Sequence, residues 1–111
     1  MTLPLILGPI KFNNKIHLVM SISYDHYGIT YNCLSKIFTL QEIISILPDN
    51  TEFPKVSIFD LNDDVLVSSD SEVAIKVKIT EVSISRDGIY YYVSPNIGYP
   101  LVPHAYIIPI N

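Results

Sequence analysis

One phrase occurs twice in this chain. Residues 21–31 read Ser-Ile-Ser-Tyr-Asp-His-Tyr-Gly-Ile-Thr-Tyr, and residues 83–91 read Ser-Ile-Ser-Arg-Asp-Gly-Ile-Tyr-Tyr. Both are a strand, a tight turn through glycine and a second strand, so the chain is built from β-hairpins. The echo spans about ten positions. Read with turns of unequal length, it points to convergence on good hairpin chemistry more than to duplication.

The alternation extends outward from these turns. From Lys15 to Tyr24, residues Ile16, Leu18, Met20, Ile22 and Tyr24 share one parity and predict one buried face. A returning strand is expected from Ile29 to about Phe38. Shorter strands are expected at Lys55–Asp60 and Val65–Ser68, with Asn62-Asp63-Asp64 as a turn between them. Val73 to Ile84 reads as one long strand whose apolar parity switches between Ile79 and Val82. A bulge near Thr80-Glu81 would restore a single buried face. Asp87-Gly88 is expected to be the hairpin turn, and Ile89–Val93 the strand that returns.

The period changes once. Thr39 with Glu42 has capping-box spacing, and Leu40, Ile43, Ile44 and Leu47 form an apolar stripe. One short helix over 39–47 is predicted, ended by Pro48-Asp49-Asn50. Both chain ends are apolar and interrupted by proline, at Pro4 and Pro9 and again at Pro95, Pro100, Pro103 and Pro109. Prolines exclude central strands. Residues 1–12 and 94–111 therefore read as extended arms that cover the domain or reach a neighbour, with an edge strand near Ala105–Ile108.

The fold class that follows is mainly β. A single domain is expected: a small bent barrel or sandwich of about six to seven strands with one short α-helix, or alternatively an OB-like barrel.

Charge narrows the function classes. Only 16% of the 111 residues are charged, the net charge is −4, and there is one arginine. Phosphate tracking needs clustered Lys and Arg, so nucleic-acid binding is disfavoured. Eleven acids are too few for a nucleic-acid mimic. The apolar share of 49% leaves few charges for the surface and points to a homo-oligomer, by default a C2 dimer. Residues Met1–Ile10 lack a basic region and the length of a membrane span, so a cytoplasmic protein is expected.

No residue set reads as catalytic. Cys33 stands alone in a strand pattern and reads as a buried thiol. Asp60, Asn62 and Asp64 alternate like the start of a calcium loop, but Val65 and Ser71 stand where its glycine and glutamate belong. His17, His26 and His104 have no short ligand spacing. No metal or cofactor is expected. The tyrosines carry the binding expectation, since tyrosine gives large contact area with a polar tip. Tyr90, Tyr92, Tyr99, Tyr106 and Tyr27, with Leu101 and Ile107 of the C-terminal arm, are the interface candidates.

The stretch Val77-Lys78-Ile79-Thr80-Glu81-Val82 leading into Asp87-Gly88-Ile89-Tyr90-Tyr91-Tyr92-Val93 resembles hairpins of small SH3-like barrel proteins of phages and prophages. The resemblance implies a compact barrel of viral origin. It also implies a non-enzymatic accessory protein that inhibits or modulates a host or defence protein by stoichiometric binding in the host cytoplasm. Other classes compatible with the residues are an oligomer that sequesters a nucleotide-like ligand in a Tyr-lined pocket, a virion structural component and, last, an enzyme.

Overall fold

Hairpins organise the protein, as the repeated phrase requires. The computed structural model describes residues 1–48, 52–68, 74–95, 97–98 and 101–110. Strands β1 (Thr2–Pro4), β2 (Gly8–Phe12), β3 (Lys15–Asp25), β4 (Gly28–Cys33) and β5 (Ile37–Thr39) lead into helix α1 (Leu40–Ile46). Strands β6 (Lys55–Ser57), β7 (Asp64–Val67), β8 (Ile75–Ser85), β9 (Gly88–Ser94) and β10 (Val102–Pro103) follow. A 3₁₀ turn (His104–Tyr106) and β11 (Ile107–Pro109) complete the order. The protein is mainly β with one short helix, in two sheets of nine and two strands among the described residues.

The turns explain the hairpins. Gly28 and Gly88 open β4 and β9 with φ of +123° and +130°, a region glycine enters without steric cost. Asp25 pairs with Gly28 and Ser85 with Gly88. The two-residue loops are thus His26-Tyr27 and Arg86-Asp87, so the second turn sits one residue earlier than Asp87-Gly88. A third hairpin turns through Asn13-Asn14, both at positive φ (50° and 61°), the signature of a type I′ turn.

Aligned on Gly28 and Gly88, the two hairpins have equal loops, and the equivalence runs on. Both long strands carry a bulge, between Val19 and Ser21 and between Ile79 and Glu81, each position 60 residues from its counterpart. Ile22 and Val82 are buried equivalents, as are Tyr31 and Tyr91. In the segments before them, Leu3 matches Ile58 and Ile10 matches Val65, each pair 55 residues apart and buried. Phe38 and Val102 pair with the two buried tyrosines in the same way. The chain is therefore two equivalent halves in tandem, which corrects the reading of the echo as local convergence.

The halves meet about a pseudo-two-fold axis. β3 and β8 pair antiparallel with Ser23 opposite Ser83, a residue opposite its own equivalent. The flanking pairs, Ile22 with Ile84 and Tyr24 with Val82, exchange places when the halves are swapped. β1 and β6 form the second sheet under the same rule, with Thr2 opposite Ser57. Strand order in the large sheet is the palindrome β10-β9-β8-β3-β4-β5.

That palindrome explains why the sheet does not close into a barrel, SH3-like or OB-like. The bulges bend β3 and β8, but the axis sends β5 and β10 to opposite outer edges. The molecule is accordingly elongated, 52 × 27 × 22 Å. One core runs through both halves, with Ile22, Tyr31, Phe38, Ile79, Val82, Ile84 and Tyr91 at its centre.

The terminal segments fold onto their own chain. β1 pairs with β6 and β2 with β3, while β10 pairs with β9 and β11 with β7. Leu3, Ile10, Val102 and Ile107 enter the core. The capping box is formed: Glu42 N–H donates to Thr39 Oγ1 at 3.2 Å, and Thr39 N–H donates to Glu42 Oε1 at 3.1 Å. Ile43 is buried beneath the helix, whereas Ile44 is 54% exposed and lies off the contact stripe. A helix of two turns against β4 and β5 covers only a narrow line. Asp49, Asn50, Val73 and Tyr99 lie outside the described residues.

Candidate functional site

The bulge in β3 decides which face of that strand meets water. Before it, Val19 points into the core; after it, Ile22 does, with Ser21 and Ser23 on the other side. Ile16, Leu18 and Met20 therefore lie on the outer face, 76%, 43% and 50% exposed. This overturns the single buried face expected from Ile16 through Tyr24. Leu34, just beyond β4 and next to Cys33, the partner of Val19, is 92% exposed.

The second half is an internal control for these positions. Sixty residues on from Ile16, Leu18, Met20 and Leu34 stand Lys76, Lys78, Thr80 and Ser94, all exposed. The same strand, bulge and pairing are thus built with polar outer residues in one half and apolar ones in the other. The fold does not need the apolar set. Inside, the halves agree in chemistry, as at Tyr31 and Tyr91; outside, they have diverged.

The apolar row is bounded on each side. Pro9 and Lys11 on β2 lie opposite Leu18 and Ile16. At the other end, a groove of about 250 Å³ is lined by Leu18, Val19 and Met20 and by the turn residues Ser85, Arg86 and Asp87. Beyond the bulge the face becomes polar: Asn32 Nδ2 donates to Ser21 Oγ and Ser23 Oγ at 3.1 and 3.0 Å.

The tyrosine candidates fall in separate places. Tyr90 and Tyr92 are on the outer face of β9, half-buried and 40% exposed. Their equivalents are Thr30 and Asn32, so this too is a difference between the halves. Tyr27 is 87% exposed in the first turn, with its ring centroid 4.0 Å from that of His26. Tyr106 is 46% exposed in the 3₁₀ turn, and Leu101 is half-buried. Ile107 is only 7% exposed and belongs to the core, because β11 covers the outer edge of β7. Tyr99 is outside the described residues. None of these shares the apolar row on β3, which the parity reading hid. The usable signal was the parity switch seen in β8, carried back 60 residues.

The remaining polar groups have structural partners. Tyr31 donates to the Pro4 carbonyl at 2.9 Å, and burial pushes its pKa up to about 12. Tyr91 Oη accepts from Phe59 N–H at 3.2 Å and lies 2.7 Å from His104 Nδ1. Phe59 is 55 residues from Pro4, so each buried tyrosine clasps the same place in its half. Tyr24 donates to Asp60 Oδ1 at 2.7 Å; this bond and then burial push its pKa up to about 12.

Asp60 also accepts from Leu61 N–H, and Asp64 pairs with Lys78 at 3.0 Å, so the alternating acids serve a turn and an ion pair. His17 lies against Phe12 and Phe38. Cys33 is half-buried, and burial raises its thiol pKa. No group of three or more potential ligands for a metal ion occurs among the described residues. Nor is any described helix long and apolar enough to cross a membrane.

No family model, curated protein or solved structure matches this chain.

Proposed function

We propose that this protein is a non-enzymatic binding protein that works by stoichiometric association with a protein partner. The outer face of its first half is the contact surface. The observation that supports this reading is the unequal outer face of two otherwise equivalent halves. Four exposed apolar side chains, Ile16, Leu18, Met20 and Leu34, stand where Lys76, Lys78, Thr80 and Ser94 serve the same backbone. Contiguous exposed apolar surface on a rigid sheet is the physical mark of a docking site, because its burial is favourable and little order is lost on binding. The likeness of the second hairpin to small phage proteins extends the proposal to a viral accessory role, with a host or defence factor as partner.

The test exchanges the face for its counterpart: Ile16→Lys, Leu18→Lys, Met20→Thr and Leu34→Ser together. Tagged protein, with and without these changes, is used for affinity capture from bacterial lysate, followed by mass spectrometry. A partner held in stoichiometric amount by the original chain and lost by the variant is the expected result. Equal capture by both would contradict the proposal, as would capture by neither when the original chain is also a monomer.

A further inference from the structure

We infer that the occupant of the apolar row is a second copy of this chain, docked face to face about a two-fold axis. This rests on the reading of the outer face of β3 as a protein-binding surface and names its partner. Two features of the row fit a copy of itself.

The first is its shape as a row. Ile16, Leu18 and Met20 lie at alternate positions of one strand, so a two-fold axis crossing the strands through Leu18 and its neighbour Pro9 sets Ile16 of one copy over Met20 of the other. The row then buries itself, as an isologous contact must.

The second is charge. On the β2 side, the same axis carries the Lys11 end of the row onto the opposite end, where the Arg86-Asp87 turn meets Met20. Each Lys11 is brought to the Asp87 carboxylate of the other copy, twice by symmetry. Lys11 and Asp87 are both exposed and form no salt bridge among the described residues. The second half lacks this fit, since the same operation would set Lys78 over its own copy and Lys76 over Thr80.

Light scattering of the full chain at micromolar concentration decides the matter. The expected result is a dimer, made monomeric by the four-residue exchange described above, with circular dichroism confirming that the variant folds. Lys11→Asp should weaken the dimer about fivefold by setting like charges together, and adding Asp87→Lys should restore it. These two surface changes decide the case should the four-residue variant fail to fold. A monomeric original chain, a variant that remains dimeric, or no rescue by the second charge change would overturn the inference. A monomer that still captures a partner in lysate through this face leaves the binding reading standing, so the two failures are distinguishable.

Discussion

Tyr31 and Tyr91 occupy the same place in the two halves, yet their hydroxyls hold different groups. Tyr31 satisfies one carbonyl, that of Pro4. Tyr91 accepts from Phe59 N–H and is also hydrogen-bonded to His104 Nδ1 at 2.7 Å. Tyr31→Phe should therefore cost about 1 kcal/mol, and Tyr91→Phe about 1–3 kcal/mol, because it strands two partners. Urea denaturation of the two variants checks that order.

Alkaline pH reads out the buried hydroxyls together. Tyr24 and Tyr31 have folded pKa values pushed up to about 12, against about 10 in an unfolded chain. A raised pKa means the folded state holds the proton more tightly. The contribution is complete below about pH 10 and is lost as pH rises through about 12. Ellipticity should fall over that window together with the last rise in phenolate absorbance. Ionisation of every tyrosine near pH 10 with the structure intact would contradict this.

At the scale of elements, equivalence makes its own prediction. Gly28 and Gly88 share a backbone conformation, and an added Cβ meets nothing closer than Tyr90 at 3.8 Å. Substitution there costs backbone strain and not a clash. Gly28→Val and Gly88→Val should each lose roughly 1 kcal/mol or more, and by nearly equal amounts. Thermal denaturation of both variants measures this, and a large difference would show that the turns are not copies.

These elements also show what was legible in the sequence. Period and turn chemistry were explicit in the alternation around Gly28, Gly88 and the Thr39–Glu42 box. The bulge in β8 was visible because Val82 and Ile84 broke parity with Val77 and Ile79. The bulge in β3 was hidden because Met20, the extra residue, is itself apolar and kept the alternation unbroken to Tyr24. The candidate face was missed for that one reason: Ile16, Leu18 and Met20 looked like core. Asn13-Asn14 was overlooked as a turn although paired asparagines tolerate positive φ.

The whole molecule is governed by its pseudo-two-fold axis. It fixes the palindromic strand order, prevents closure, and makes each half a control for the other. It also accounts for the prolines at the chain ends. The outer edge of β7 is covered by β11, whereas β2 pairs with β3 alone among the described residues and carries Pro9 and Lys11, residues that discourage further strand addition. Barrel closure was beyond the sequence because it depends on how the halves pair, and a strand pattern does not state its own neighbours. The functional proposal depends on this symmetry too, since the exposed apolar row is informative only against its polar counterpart.

The axis can be measured directly. Ser23 and Ser83 face each other across β3 and β8, and Thr2 and Ser57 across β1 and β6. Hydrogen bonds on both sides, such as Ile58 N–H to the Met1 carbonyl at 2.8 Å, make Thr2–Ser57 a non-hydrogen-bonded pair. The hairpin register makes Ser23–Ser83 another. Such pairs hold their Cα atoms about 4.5 Å apart and bring their α-protons into close contact. The account predicts strong nuclear Overhauser effects between the α-protons of Ser23 and Ser83, and between those of Thr2 and Ser57, in one folded species. Contacts displaced by a residue, such as Ser23 to Ile84, or no contact between the halves, would contradict it.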